Sequence, residues 1–276
     1  MSPKYSRLTV PGKAKDDAIV GLLALHGPLG FAEEGRNLVA CFRTAAAARA
    51  AETSVRSRGH RTALTTDVVE EDPLEAFRAA SRPFLVGRRL WIDPGEPGSG
   101  QPPADRIALR IPASRAFGTG THESTRLALL ALEDEVRPET SVLDAGTGSG
   151  VLALAAAALG ARGAAAFDTD AEAVFVARQN VRRHSFGSRV RLFVGSAEAA
   201  SGRFALVVAN MLPEEFLPLL PALAARVERR GRLVLSGIPI ERESAVAVRA
   251  RARRFRLAGR YREGAWSCLC LSRASS

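Results

Sequence analysis

Cysteine is scarce in this sequence, and long apolar runs are missing. The three cysteines, Cys41, Cys268 and Cys270, include no second closely spaced pair of the kind that completes a zinc site. We therefore expect buried, reduced thiols and no metal. The alanine-rich run from Leu152 to Ala166 is broken by glycine and arginine before it reaches the ~20 residues of a membrane span. We therefore expect a cytoplasmic protein that is neither anchored in a membrane nor secreted.

Lysine is almost absent, although the chain carries a net charge of +10. Only three of the 39 basic residues are lysine, so 39 − 3 = 36 are arginine, a bias that codon usage also produces. The densest basic cluster contains five arginines: Arg249, Arg251, Arg253, Arg254 and Arg256. Its one interleaved aromatic residue, Phe255, makes no stacking platform for single-stranded nucleic acid. We expect an exposed helix end and no nucleic-acid partner; a phosphate-binding face is the alternative.

A stretch rich in proline and glycine, DPGEPGSGQPPAD at residues 93–105, separates two segments with different patterns. The first segment predicts alternating strands and helices in the order βαββαβ: Ser6–Val10, Lys13–His26, Leu29–Glu34, Asn37–Arg43, Thr44–Arg58 and Thr62–Val69. This order is typical of a small α+β ferredoxin-like domain. We place that domain at residues 1–72, a linker region with a short helix near residues 74–80 at 73–105, and a second domain at 106–276.

The second segment alternates short apolar strands with helices. The predicted strands are Ser141–Asp144, Gly163–Asp168, Val190–Val194, Leu206–Ala209 and Arg232–Ser236. Strands that are apolar along both faces are typical of a parallel sheet covered by helices on each side. The segment therefore predicts a doubly wound, Rossmann-like α/β fold.

The strand SVLD, which ends at Asp144, leads into the glycine-rich turn Gly146–Gly150 and then into an alanine-rich helix. Glycine at such a turn lets a ligand approach the backbone. This motif alone is equally consistent with a tight turn that binds nothing. The next strand ends at Asp168, 18 residues beyond Gly150 (168 − 150), close to the ~20 expected for a carboxylate that binds ribose hydroxyls. The alternative for Asp168 is a helix N-cap, for which Asp170 is better placed.

The loop also indicates which nucleoside cofactor is bound. Dinucleotide-binding enzymes place a pyrophosphate at the helix N-terminus, and Asp144 would repel it. A carboxylate at that position suits a ligand that carries a positive sulfonium and an ammonium group. The residues therefore favour S-adenosylmethionine over a dinucleotide.

Four tracts now carry a resemblance to a known family. From Ile111 to Ile238 the chain resembles the bacterial PrmA family, the methyltransferases of large-subunit ribosomal protein eleven. One tract, AFGTGTHESTRLALLALE, is similar to the family's signature. Three more tracts follow it in the family's order and spacing: AFDTDAEAVFVARQN, VVANMLPEEFLPLLPAL and GRLVLSGI. The resemblance implies a class I methyltransferase domain with a mainly parallel seven-stranded sheet, preceded by a substrate-recognition domain. It also implies methylation of lysine or N-terminal amino groups, or both, with S-adenosylmethionine as the donor.

The family's cofactor contacts fall on Thr125, Gly146, Asp168 and Asn210. A hydroxyl at Thr125, on the helix that follows the glycine- and threonine-rich loop 118–121, can donate to the cofactor carboxylate. Asn210 ends an apolar strand at the ligand-binding edge of the sheet. The alternatives are an exposed helix residue for Thr125 and a turn residue for Asn210.

We assign no catalytic residue. Methyl transfer from a sulfonium to an amine is a direct displacement that mainly requires a neutral amine in near-attack geometry. Any base is secondary, because water can accept the proton. We therefore expect His122 to order the loop or the structure rather than to act as a general base.

The expected partner is ribosomal protein eleven, and the enzyme is expected to be a monomer. Because enzyme and substrate would both be basic, we expect attraction through local acidic residues such as Glu70, Glu71 and Asp72. One alternative is a related class I methyltransferase acting on another protein lysine or a small amine. A second is a non-catalytic module that contacts RNA through its arginines.

Overall fold

The computed structural model describes residues 5–13, 16–68, 81–95, 100–112 and 122–274. The chain divides into two compact units, residues 1–81 and residues 82–276. Three features of the sequence lie outside the described residues: the predicted helix near residues 74–80, the loop 118–121, and the acidic residues Glu70, Glu71 and Asp72.

The first unit contains a four-stranded antiparallel sheet and two helices. Its elements are β1 (Tyr5–Val10), α1 (Asp17–Ala24), β2 (Gly30–Glu34), β3 (Asn37–Phe42), α2 (Ala45–Arg56) and β4 (Ala63–Val68). The strands lie in the order β2-β3-β1-β4, and each pairs antiparallel with its neighbours. This is the ferredoxin-like arrangement, so the predicted βαββαβ order is confirmed.

Capping and apolar spacing explain why these elements form. Thr44 caps α2, because its Oγ1 accepts a hydrogen bond from the Ala47 backbone N at 3.2 Å. Leu23 of α1 and Val55 of α2 are fully buried in one cluster with Leu8 of the sheet. The helices and the sheet therefore share a single core.

The second unit holds two sheets. The small sheet contains β5 (Phe84–Val86), β6 (Leu90–Asp93) and β7 (Ile107–Arg110). The strands of the large sheet are β8 (Ser141–Ala145), β9 (Gly163–Asp168), β10 (Val190–Val194), β11 (Phe204–Asn210), β12 (Val227–Pro239), β13 (Phe255–Glu263) and β14 (Trp266–Arg273). The helices are α3 (Glu123–Glu135), α4 (Val151–Ala158), α5 (Ala171–Arg182), α6 (Pro213–Arg226) and α7 (Glu243–Ala252), with short 3-10 turns at Ser185–Arg189, Ala197–Ala199 and Ile240–Arg242.

The large sheet has the order β10-β9-β8-β11-β12-β14-β13. The five strands from β10 to β12 are parallel, and β14 and β13 add an antiparallel hairpin. Separate apolar clusters fill the two faces. The prediction of a mainly parallel seven-stranded Rossmann-like sheet is confirmed. None of the helices in the described part of the chain is long and apolar enough to cross a bilayer.

Several strands differ from the sequence prediction. β12 begins at Val227, not at Arg232, because a register shift in its pairing with β11 separates the charged residues 228–230 from the apolar run. All three strands of the small sheet were missed: β5 and β6 lie in the stretch expected to connect the domains, and β7 lies just after it. With three or four residues each, these strands are too short to show a period.

The closing hairpin was not placed by residue number either. β13 is rich in arginine, and the five clustered arginines extend from the end of α7 into β13. All five are exposed while Phe255 is buried, which confirms the expected exposed helix end. Cys268 and Cys270 of β14 are buried free thiols, as predicted, whereas Cys41 is only partly buried.

Candidate functional site

The carboxyl ends of β8, β9 and β11 lie side by side at one edge of the large sheet. The strand register aligns Ala145 of β8 with Phe167 of β9 and with Ala209 of β11. The residues that follow these three therefore lie at the same height along the strand direction, and they include Gly146 and Asp168. This edge is where open α/β sheets bind ligands.

Gly146 begins the turn between β8 and α4 in a conformation that favours glycine. Its φ is +68°, in the left-handed region. A Cβ added there would lie 2.5 Å from Cε of Met211, the residue that follows β11. Any side chain at Gly146 would therefore strain the backbone and displace Met211 at the ligand-binding edge.

Asp168 is joined to the glycine-rich turn by its carboxylate. Gly148 N donates to Oδ2 at 3.0 Å, and Asp170 N donates to Oδ1 at 3.0 Å. The N-cap of α5 is Asp170, whose Oδ1 accepts from Glu172 N at 2.8 Å. The alternative that Asp168 caps this helix is therefore wrong. Asp168 remains only partly buried, and its oxygens have further lone pairs for a ligand.

Asp144 lies completely buried beneath the turn. Its Oδ2 accepts hydrogen bonds from Thr147 Oγ1 at 2.6 Å and from Ala153 N at 3.1 Å. Its Oδ1 is buried and has no hydrogen-bond partner within the described part of the chain. Burial raises the pKa of Asp144 to about 6; the two hydrogen bonds oppose this shift and the charge of Asp168 adds to it. The site therefore contains a buried carboxylate whose ionised form is only partly compensated by hydrogen bonds.

Thr125 and Asn210 meet across α3 and β11. Asn210 Nδ2 donates to Thr125 Oγ1 at 3.1 Å, and the Thr125 hydroxyl retains its own proton for donation. Thr125 is fully buried, so the alternative of an exposed helix residue is wrong. Among the residues described by the structure, none forms a hydrogen bond with the buried Asn210 Oδ1. The structure thus brings together two residues that are 85 positions apart in sequence.

The start of α3 is held in place by His122, its N-cap. His122 Nδ1 accepts from Ser124 N at 3.2 Å, and Ser236 Oγ of β12 donates to Ser124 O at 2.7 Å. Burial lowers the pKa of His122, so the imidazole is neutral at pH 7. The ring meets Trp266 edge-on, with centroids 4.9 Å apart. These contacts give His122 a structural role as the N-cap of α3, and that it does not act as a general base stays a prediction.

Two residues at this edge were missed by the sequence analysis. Asn180 is buried on α5, and its Nδ2 donates to Ser149 O in the glycine-rich turn at 2.9 Å. The other buried positions of that helix include Ala173 and Ala177, so helical spacing alone would have placed Asn180 on the buried face. No local sequence pattern marks Trp266 in this way. Trp266 comes to lie beside His122 only through the pairing of its strand.

Comparison with known proteins agrees with this geometry. The family model described as Ribosomal protein L11 methyltransferase (PrmA) matches residues 32–274. The Ribosomal protein L11 methyltransferase of Pelobacter propionicus is 39% identical over 219 residues, which cover 77% of this chain and 70% of that protein. The protein of the same name from Geobacter sulfurreducens is 41% identical over 204 residues, covering 74% and 67%.

One solved structure is also similar over most of the chain. The ribosomal protein L11 methylase of Lactobacillus delbrueckii subsp. bulgaricus is 30% identical, with a TM-score of 0.64, over 70% of this chain and 100% of that one. The family match spans both units and includes the glycine-rich turn, Asp168 and Asn210. By this match, the chain belongs to the ribosomal protein L11 methyltransferase (PrmA) family.

Proposed function

We propose that this chain transfers methyl groups from S-adenosylmethionine to lysine side chains, the N-terminal amino group, or both, of ribosomal protein L11. The observation that carries the proposal is the pair of buried, unpartnered oxygens, Asp144 Oδ1 and Asn210 Oδ1, at the ligand-binding edge of the sheet. Buried polar atoms in native proteins are nearly always hydrogen-bonded, so these oxygens favour a ligand that donates hydrogen bonds or carries positive charge.

The donor set at this edge fits S-adenosylmethionine. Asp168 would hold the ribose hydroxyls, since its carboxylate is already aligned by two backbone N–H groups. The Thr125 hydroxyl can donate to the cofactor carboxylate, and Asn210 Oδ1 can accept from its ammonium group. Asp144 supplies negative charge where the ligand is cationic. When bound, the cofactor supplies an electrophilic methyl group on its sulfonium.

The chain's own part in the reaction is to bind and orient. The open backbone at Gly146 and the Thr125–Asn210 pair would place the methyl donor. A neutral acceptor amine then needs only alignment with the methyl group. We propose no catalytic base.

We further propose that the first unit binds the substrate protein. All four predicted cofactor residues lie in the second unit, which leaves the ferredoxin-like sheet free for another task. The acidic residues 70–72 offer charge that complements a basic ribosomal protein. Since the substrate is a ribosomal protein, we expect the reaction in the cytoplasm.

The test is mass spectrometry of purified ribosomal protein L11 after incubation with the full chain and S-adenosylmethionine. We expect mass gains in methyl units, and smaller gains with the variant Asp168→Ala when S-adenosylmethionine is limiting, because that variant binds the cofactor more weakly. A chain that binds the cofactor but leaves L11 unmodified would overturn the substrate assignment and point to another protein lysine or a small amine. Absence of cofactor binding would overturn the whole proposal.

Recognition is tested with the triple variant Glu70→Lys, Glu71→Lys and Asp72→Lys. We expect KM for L11 to rise with cofactor affinity unchanged, because the reversed charges repel a basic substrate. Unaltered methylation of L11 by this variant would show that these residues do not attract it.

A further inference from the structure

Trp266 carries a polar atom that has no partner among the residues that the structure describes. Trp266 is only 8% exposed, and its Nε1 is buried with no hydrogen-bond acceptor in that part of the chain. A buried indole N–H normally finds a partner, so this one favours a ligand with an acceptor atom. Trp91, the other tryptophan of the chain, lies on β6 in the small sheet, with the Arg110 guanidinium 6.0 Å from its ring centroid.

The strand register places Trp266 beyond the proposed cofactor contacts. Asn210 is level with Ser236 of β12, whereas Trp266 is paired with Pro239, three residues farther along that strand. At about 3.3 Å per residue, Trp266 lies on the order of 10 Å farther out. The cofactor contacts follow β8, β9 and β11, and β12 separates β11 from β14. A ligand that reaches the indole would therefore lie beyond the proposed cofactor contacts, on the side that the proposed function leaves for the methyl acceptor.

The indole is also held in orientation. His122 meets the ring edge-on, and its position is set by its hydrogen bond with Ser124 N at the start of α3. Trp266 itself begins β14 opposite Glu263 of β13, and Glu263 forms an ion pair with Arg126 of α3. With both neighbours anchored to α3, the N–H direction is preorganised, which lowers the cost of binding an acceptor atom.

We infer that Trp266 is a substrate-positioning residue: its indole N–H donates a hydrogen bond to a backbone carbonyl of the methyl-accepting polypeptide, close to the amine that is methylated. The inference rests on the proposed function. A peptide carbonyl fits because every acceptor amine on a polypeptide has carbonyls nearby, and an uncharged oxygen meets the needs of one uncharged donor. His122 acts through Trp266 as its support and touches no reacting atom.

The test uses Trp266→Phe, with Trp91→Phe as the matched control. Phenylalanine keeps an aromatic ring and removes the N–H, and no internal hydrogen bond is lost because the N–H makes none. We expect KM for ribosomal protein L11 to rise about ten-fold in Trp266→Phe, with kcat and calorimetric cofactor affinity within two-fold of the parent. Trp91→Phe should leave all three unchanged.

A second measurement does not depend on the stability of Trp266→Phe. In Trp91→Phe, Trp266 is the single tryptophan and reports its own surroundings. We expect its emission to change when L11 is added in the presence of S-adenosylhomocysteine.

The outcomes separate the two levels of the proposal. If the parent chain methylates L11, but Trp266→Phe has an unaltered KM and the emission of Trp266 does not respond to L11, the role of Trp266 is wrong and the methyltransferase stands. If Trp266→Phe loses cofactor affinity as strongly as L11 affinity, the role is structural and the inference also fails. If the parent chain does not methylate L11 at all, the proposed function itself fails.

Discussion

Two regions around the large sheet differ in how far their buried polar groups are paired. At the root of the closing hairpin, Glu243 is 4% exposed, and its carboxylate accepts hydrogen bonds from Arg262 and Ser267 and forms an ion pair with Arg260. Burial acts to raise the pKa of Glu243, but these partners outweigh it and the pKa is lowered. Its charge is fully compensated within the protein.

The ligand-binding edge has the reverse pattern. Asp144 is more deeply buried than Glu243, yet one of its oxygens lacks a partner and its pKa is raised to about 6. Asn210 Oδ1 is unpartnered as well. The difference shows that buried charge at the hairpin holds strands together. At the ligand-binding edge, polar groups stay unpaired and available to a ligand, at a cost in stability. Substitutions in the two regions should therefore separate stability from cofactor affinity.

The largest effect is expected for Gly146→Val. The new side chain meets Met211 and strains a left-handed backbone at the site, so cofactor affinity should fall more than about 100-fold. Calorimetry measures the loss. Gly160→Val is the control, because Gly160 has φ +103° with open space around it and lies at the far end of α4. That variant should lose stability and keep its affinity; equal losses of affinity in both would remove Gly146 from the site.

Asp144 should make stability depend on pH in the absence of cofactor. Its folded pKa of about 6 exceeds the ordinary value of 3.8 for an aspartate, so the folded state holds the proton more tightly. The contribution of Asp144 to stability is then greatest below pH 4 and falls by about 3 kcal/mol as the pH rises from 4 to 6. Urea titrations across this range measure the slope.

The matched variant is Asp144→Asn. It should lose that slope, be more stable than the parent at pH 7, and bind S-adenosylmethionine more weakly because the negative charge is gone. An unchanged slope in Asp144→Asn would assign the pH dependence to another group.

The neighbouring aspartates Asp168 and Asp170 give a sharper contrast. Asp168→Ala removes the charged acceptor for the ribose and should weaken cofactor binding by about 2 kcal/mol. Asp170→Ala removes the α5 cap and should cost about 1 kcal/mol of folding free energy with affinity unchanged. Calorimetry and thermal unfolding of both variants measure the pair. Similar affinity losses in the two would mean that the local charge, and not the Asp168 contact, matters.

The smallest effect is expected at the hairpin. Glu243→Gln weakens the ion pairs with Arg260 and Arg262, whose side chains are nearly half exposed, so we expect a loss of only about 1 kcal/mol of stability. Cofactor affinity should not change. A drop in cofactor affinity beyond two-fold would break the comparison, because it would couple the hairpin to the ligand-binding edge.

Most of the fold could be predicted from sequence, because its strands and helices are locally periodic. The βαββαβ order of the first unit and the five parallel strands of the second follow from apolar spacing and from caps such as Thr44. β5, β6, β7, β13 and β14 were not placed. The first three are only three or four residues long and β13 is rich in arginine, and all five depend on pairing with other segments for their strand character.

Some residues of the candidate site could likewise be predicted from sequence, and others could not. Gly146, Asp168 and Asn210 each end an apolar strand or follow one, so the parallel topology alone places them at one edge. That placement makes them candidates, and their contact with the cofactor remains a prediction. The buried Asn180 could have been found from helical spacing, whereas the contact of Trp266 with His122 spans 144 residues (266 − 122) and has no local signature.

The sequence by itself determined the family, the order of the main elements and which polar residues end the strands, since these depend on residue type and short-range spacing. Only the tertiary structure decided which of those polar groups are satisfied. Glu243 obtains its partners from β13 and β14, while Asp144 and Asn210 each keep an oxygen unpaired. Hydrogen-bond satisfaction is a property of the packed chain, because each partner comes from a different strand or helix.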